Sequence, residues 1–457
     1  MDRIEYGYDR ASNRLWRQNV TVSGEDELYG YDGLYQLLNL QRGTLNGTKS
    51  AITGTPNWEE EFSLDPSGNW NNYTTLTSGS TTLNQSRAQN TSNEITALSG
   101  SSSLVGYDAL GNMHSTPVPG NWSSAYTLKW DAWNRLVQVK SGSTVVATYG
   151  YDALNRRVTQ VTALGSFDYY YSKDWQILQE NSSGTLLNQF VWGLRGVDDV
   201  ILRDATSGSS TQRLYALRDV MHVTAITNTS GSVLERYDYD AFGNTRVNGT
   251  SSNVSSYGWE IRFCSYLFDQ VSGFYQVRNR YLHPFLGRWL LRDRLKNAEL
   301  SQGNNLYWYV RNNPVNRIDP LGLLDSADGT RGVAWNPGDR LCSKGEKTRF
   351  VQVVTYADGS QHIDDGTTPR TSGWLSWKLG LLQVDPPFYP DYHDGNQFEN
   401  NPTKKGATFE VCVVCACANN KITKSGPCKC WKQGDNGDLS NQPSFSPSSN
   451  WKETSGM

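Results

Sequence analysis

Short runs in which apolar or aromatic residues alternate with polar ones follow one another along most of the chain, and clusters of Asp, Asn and Gly separate them. Alternation at period two places every second side chain on one face of a pleated strand, and Asn or Gly supplies the positive φ of a tight turn. One frame recurs: an aromatic or apolar residue, Asp, a short spacer, then Asn or a substitute and a returning run. It begins at Tyr8-Asp9, Tyr31-Asp32, Leu64-Asp65, Tyr107-Asp108, Trp130-Asp131, Tyr151-Asp152 and Tyr239-Asp240. Asp108, Asp131 and Asp152 lie 23 and 21 residues apart, a period that marks a unit able to bury its apolar face only against its neighbours. The frame predicts a β-hairpin repeat in which the aspartates bond nearby backbone amides as turn residues and do not form a row of acidic sites.

The pattern loosens over 71–104, where Ser, Thr and Asn dominate and both strands and a long surface loop fit. Alternation resumes from Phe167. His222 lies in this part with no Cys or second His near it in sequence, and reads as structural. Over 274–281, Phe274, Tyr275, Val277, Arg278, Arg280 and Tyr281 predict one strand, with a turn at Pro284 and Gly287, a second strand at 288–291 and a third at 306–310. Cys264 is expected in a strand as a free, small apolar residue.

Composition supports a mainly β chain. Hydrophobic residues make up only 37%, yet there are 25 Tyr, 16 Trp and 42 Gly, which suits many short strands and tight turns. At 457 residues two or more units are expected, or one large unit if the repeats form a continuous shell. A net charge of −3 without a basic stripe gives the repeats no electrostatic footprint for nucleic acid. The longest apolar run, 374–384, is short and interrupted by Ser376 and Lys378, so no membrane span is expected. The first residues lack the pattern of a signal peptide, and a repeat begins within them, so the sequence is expected to be part of a longer protein.

Three blocks in order, S-G-F-Y-Q-V-R-N-R-Y-L-H-P-F-L-G-R-W-L-L-R-D, N-L-Y-W-Y-V-R-N-N-P and D-P-L-G-L, close the region from Arg236 to Leu323. This region resembles the core-associated segment of the Rhs and YD-repeat family, and the Tyr-Asp frames resemble that family's repeats. The resemblance implies a spiralling antiparallel hairpin sheet, shell-like, divided into a repeat array over 1–235 and a core-associated segment over 236–323. It also implies an aspartyl-protease-like pair, carried over to Asp293 and Asp319, that cuts the Leu323-Leu324 bond. Two carboxyls held together suit this task, since one keeps a proton to polarise the carbonyl while the other activates water. Arg292, next to Asp293, is the expected auxiliary cation. The chain departs from the family where Arg294, Leu295 and Lys296 replace the usual Pro-Gly, and in a longer spacing of 26 residues between the aspartates. Turn capping is the competing role for both.

After Leu323 the character changes. A Cys-containing module is expected over 324–435 and a disordered end over 436–457, rich in Pro, Ser and Asn. Predicted elements are a hairpin turning at Asp358-Gly359, a strand over 409–417 and a short helix over 374–382. Cys412, Cys415, Cys417, Cys428 and Cys430, with Cys342 further back, fit either a tetrahedral zinc site or disulfides, and the export implied by the resemblance favours disulfides. A nucleobase deaminase is excluded: Pro427-Cys428-Lys429-Cys430 is one residue short and no His-x-Glu precedes it. His362 and His393, each beside aspartates, are read as polar loop residues before metal ligands.

The functional expectation is a shell that encapsulates and delivers a C-terminal effector, secreted or at the cell surface, with an immunity protein as partner. The competing class is a surface scaffold that binds a target-cell surface or carbohydrate and bears a cysteine-stapled tail without enzymatic activity.

Overall fold

The computed structural model describes residues 3–193, 196–250, 252–294, 298 and 303–323, and beyond these the backbone of short strands between 326 and 453. The chain divides into two compact units, Met1–Gly329 and Thr330–Met457.

The first unit is built from antiparallel strands that pair with their neighbours in sequence. One meander of eight strands runs from Ile4–Tyr8 to Ile95–Leu98, and a second of fourteen runs from Gly106–Tyr107 to Thr245–Val247. The loosely patterned 71–104 region is strand, through Trp70–Thr77, Ser80–Gln89 and Ile95–Leu98.

In six of the seven frames the aspartate folds its own turn through Oδ1, whereas Asp240 Oδ1 pairs with Arg246 and its Oδ2 accepts Asn244 Nδ2. Asp65 Oδ1 accepts the amides of Ser67 and Asn69 at 2.8 and 2.9 Å, and its Oδ2 accepts Asn69 Nδ2 at 2.9 Å. Asp9, Asp32 and Asp108 repeat this arrangement, and Asp131 and Asp152 do so with an arginine in place of the amide side chain. Asn90, Ser172 and Asn228 make the same backbone bonds where the Tyr-Asp frame is not legible. The frame's aromatic residue supplies a second lock by donating to a carbonyl of the preceding repeat. Tyr31 Oη reaches Arg14 O, Tyr151 Oη reaches Leu136 O, Tyr171 Oη reaches Arg157 O and Trp130 Nε1 reaches Met113 O, all at 2.6–2.8 Å. An apolar ring with one polar tip can pack and donate at once, which accounts for Tyr or Trp at that place.

The described residues within 259–318 pack against both meanders, and their asparagines bond to the repeat turns. Asn305 Nδ2 donates to Asn69 Oδ1, Asn312 Nδ2 to Gln36 Oε1 and Asn313 Nδ2 to Asn13 Oδ1, at 2.9, 3.0 and 3.4 Å. Each contacts the amide side chain of one repeat frame.

Several expectations in this region are corrected. The single strand over 274–281 is a hairpin of Phe274–Val277 and Arg280–His283, turning at Arg278 and Asn279. Both strands are buried at every position, so alternation of apolar and polar residues carried no information about the break. The second predicted strand is shorter, Arg288–Trp289. The third, at 306–310, is replaced by a turn that touches Arg288 through Trp308 in one isolated bridge and leads into a left-handed 3-10 turn, Val310–Asn312. Cys264 is buried and free as expected, but sits in the 3-10 turn Phe263–Ser265 and not in a strand.

In the second unit, Lys347–Thr355 pairs with Gln361–Asp364 and with Thr408–Ala416, which in turn pairs with Ile422–Lys432. The residues expected to turn, Asp358 and Gly359, lie outside the described residues. The helix expected over 374–382 is corrected to a strand pair, Leu375–Lys378 with Leu381–Val384. Strands Ser440–Gln442 and Trp451–Glu453 fall within the segment expected to be disordered.

Candidate functional site

The site is built on the turn between Phe274–Val277 and Arg280–His283. Arg278 takes φ +44° there, in the left-handed region that a residue with a side chain adopts only at a cost of about 1–2 kcal/mol. From this turn, three successive residues hold three successive carbonyls of the D-P-L-G-L segment. Arg278 Nη1 donates to Pro320 O. Asn279 donates to Leu321 O through its amide at 3.2 Å and Nδ2 at 3.1 Å. Arg280 Nε donates to Gly322 O at 2.5 Å. Gly322 lies at φ +64°, and a Cβ on it would fall 2.4 Å from Val277 O, so only glycine allows this approach.

The same Arg280 joins the two predicted aspartates. Its Nη2 lies 3.2 Å from Asp293 Oδ2 and 3.1 Å from Asp319 Oδ2, and each of the three side chains is 2% exposed. The guanidinium stacks 4.2 Å from the ring centre of Trp289. Asp319 is held from two further sides: its Oδ1 accepts the Leu323 amide at 2.9 Å, and its own amide donates to Tyr266 Oη at 2.9 Å. Arg278 is braced by Asp198 through bonds of 2.8 and 3.3 Å, and burial pushes the Asp198 carboxyl up from its ordinary value against the pull of that arginine.

The structure thus places Asp293, Asp319 and the Leu323 amide around one guanidinium. Arg292, the expected auxiliary cation, is exposed, and its methylenes lie against Gly111; the cation between the carboxylates is Arg280. Arg294, one of the departures from the family pattern, donates to Asn279 O at 3.1 Å and Trp133 O at 2.6 Å, tying the carbonyl-holding turn to a repeat turn. Leu295, Lys296 and Leu324 lie outside the described residues, as do Cys342, Cys417 and the side chains of Cys412, Cys415, Cys428 and Cys430. The sequence pattern does not single out Asn279 or Arg280, which hold the Leu321 and Gly322 carbonyls. The available signal was an arginine in a stretch otherwise suited to burial, since a buried guanidinium needs carboxylate or carbonyl partners, as Arg87 and Arg262 find among carbonyls.

Sequence-adjacent hairpins locked by Tyr-Asp turns, with a core-associated segment bonded to those turns, define a YD-repeat shell. The Teneurin YD-shell family model matches residues 3–315, and the chain belongs to that family. It is similar to the tRNA3(Ser)-specific nuclease WapA of Bacillus spizizenii, 29% identical over 277 residues, which is 57% of this chain and 11% of that protein. It is also similar to toxin subunit YenC1 of Yersinia entomophaga, 24% identical over 372 residues, covering 69% of this chain and 35% of that one. Among solved structures, the Tc holotoxin pore of Photorhabdus luminescens aligns with a TM-score of 0.55 at 20% identity over 72% of this chain and 17% of that chain. The likeness to that structure shows the fold. No helix among the described residues is long and apolar enough to cross a membrane.

Proposed function

We propose that this chain is the shell portion of a toxin-type YD-repeat protein that encloses the residues after Leu323 as an effector and severs them at the Leu323-Leu324 bond. The observation that carries this reading is the grip on Pro320, Leu321 and Gly322 by Arg278, Asn279 and Arg280, next to Leu323, whose amide donates to Asp319, the carboxylate that shares Arg280 with Asp293. In the proposed step one carboxylate takes a proton from water as the water oxygen attacks the Leu323 carbonyl. The other carboxyl, protonated, donates to the departing Leu324 nitrogen, and the peptide C–N bond breaks. An arginine bonded to both carboxylates offsets the repulsion that lets an aspartic dyad share one proton, so Arg280 must leave one of them for the step to occur. The described geometry is accordingly a resting arrangement. Export of the assembled protein, and a partner that neutralises the released part, belong to the same proposal.

The test is incubation of the purified full chain, followed by gel electrophoresis and mass spectrometry. Two fragments meeting at Leu323 and Leu324 are expected, with Asp293→Asn and Asp319→Asn each left intact. Expression in a bacterial host should then arrest growth for the wild-type chain more strongly than for Asp319→Asn. An uncut wild-type chain overturns the cleavage reading. The scaffold reading draws on exposed side chains at the repeat turns, Leu34, Tyr35, Leu110, Trp133 and Leu154. Retention on a glycan array that is lost in Trp133→Ala, without any cutting, would favour it.

A further inference from the structure

Three stretches of non-glycine residues in the left-handed region lie between 264 and 312: Cys264 and Ser265, Arg278, and Val310 to Asn312. Val310, at φ +43°, is β-branched, a residue type that strongly disfavours this region. Arg278 grips Pro320 directly, as described. The other two stretches flank Tyr266 and Tyr309, and these two side chains meet beneath Asp319.

Tyr266 Oη accepts the Asp319 amide hydrogen at 2.9 Å and lies 3.2 Å from Tyr309 Oη, which lies 3.5 Å from Cys264 Sγ. The Cys264 amide donates to His222 Nδ1 at 3.1 Å, and the imidazole stacks on Phe263 with ring centres 4.7 Å apart. Tyr266, Tyr309 and Cys264 are at most 2% exposed. Tyr266 accepts from Asp319, Tyr266 and Tyr309 share one hydrogen bond, and Tyr309 shares another with the Cys264 sulfur, so the Asp319 amide is the first link of a buried chain that runs through both phenols.

We propose that Tyr266 and Tyr309 are positioning residues for Asp319. Tyr266 fixes the peptide plane on the amide side of Asp319 and so aims its carboxyl at Arg280 and the Leu323 amide, while Tyr309 fixes the rotation of the Tyr266 hydroxyl. This inference rests on the cleavage reading. Burial raises both phenols well above their ordinary values, so they act as neutral hydroxyls, and it raises the Cys264 thiol likewise, so the sulfur keeps its proton and is not a nucleophile.

The experiment compares cutting rates of the full wild-type chain with those of Tyr266→Phe and Tyr309→Phe over a range of pH. Tyr237→Phe serves as control, because it removes a buried phenol bonded to Glu235 and Ser255 instead. Tyr266→Phe is expected to slow cutting about tenfold or more, the scale of one buried hydrogen bond lost at a reacting group, and to shift the pH profile. Tyr309→Phe should slow it less, since the Asp319 bond to Tyr266 remains, and its response carries the inference if Tyr266→Phe fails to fold. Tyr237→Phe should cut at the wild-type rate. Unchanged rates and pH profiles in the foldable variants, or equal slowing in the control, overturn the inference and leave the cleavage reading standing. An uncut wild-type chain overturns both.

Discussion

Leu323 donates its amide hydrogen to Asp319 Oδ1 over 2.9 Å. The same bond closes the repeat turns, where Asn69 donates to Asp65 Oδ1 and Asn112 to Asp108 Oδ1 at 2.9 Å each. Gly322, at φ +64°, occupies the place of Gly68 and Gly111, and its amide likewise returns to the aspartate carbonyl. D-P-L-G-L is therefore one more turn of the repeat type, in which Asp319 Oδ1 caps the turn while Oδ2 faces Arg280, the arginine that also holds Asp293. Asp319→Asn should keep the cap, because an amide oxygen accepts as a carboxylate does, and lose the cut. A fold matching wild type by circular dichroism, with no fragments on a gel, is the expected result.

Arg280 compensates two buried carboxylates and a carbonyl, so its removal leaves charge without a partner in the interior. Arg280→Met should destabilise the shell unit by about 3–5 kcal/mol, read from urea denaturation. Arg280→Lys should be partly destabilising, because an ammonium has no fork to reach Gly322 O and both aspartates together. Adding Asp293→Asn to Arg280→Met should restore part of the loss.

Gly322→Ala should combine a left-handed alanine, costing about 1–2 kcal/mol, with a collision against the Val277 carbonyl. The segment would lift off the 278–280 turn, and cutting should fall below detection. Gly33→Ala, with nothing within 4 Å of the added carbon, should leave both stability and cutting unchanged.

Asp152→Ala removes the acceptor for the Leu154 and Arg156 amides and should cost about 1–2 kcal/mol. Asp152→Asn should cost less, as the natural Asn90 and Asn228 turns show that an amide oxygen suffices for those bonds. Urea midpoints of the two variants give the comparison.

Stability should fall as pH rises from 6.5 to 8. Burial pushes the Glu25 and Glu60 carboxyls up to about 7 and Glu260 up to about 8, with further upward pushes from Asp238, Asp240 and Glu180 respectively. The folded chain retains these protons where the unfolded chain has already released them, so this stabilisation is present at low pH and is lost as pH passes through 7 to 8. Burial lowers His222 and His283 to about 4 and about 3, which favours folding above the ordinary histidine value; above 6.5 that contribution is complete and adds no slope. Urea midpoints at pH 6.5 and 8 check the sign, and Glu60→Gln and Glu260→Gln should each flatten the difference.

The sequence by itself determined the repeat, its turns and its family, because each hairpin closes through atoms a few residues apart. The aspartate, the amides it accepts and the left-handed residue all lie within one frame, so a linear pattern contains the whole interaction. It also pointed to Asp293, Asp319 and Leu323, although only through resemblance. Tertiary structure decided the rest. Burial on both faces erased the alternation that would have divided Phe274–Val277 from Arg280–His283, and the turn between them holds the donors for 320–322. Arg292 stands beside Asp293 in sequence but is exposed, while Arg280, thirteen positions away from Asp293, lies between the carboxylates. A charge in the interior is placed by the partners that must compensate it, and those partners come from elements that meet only when the chain is folded.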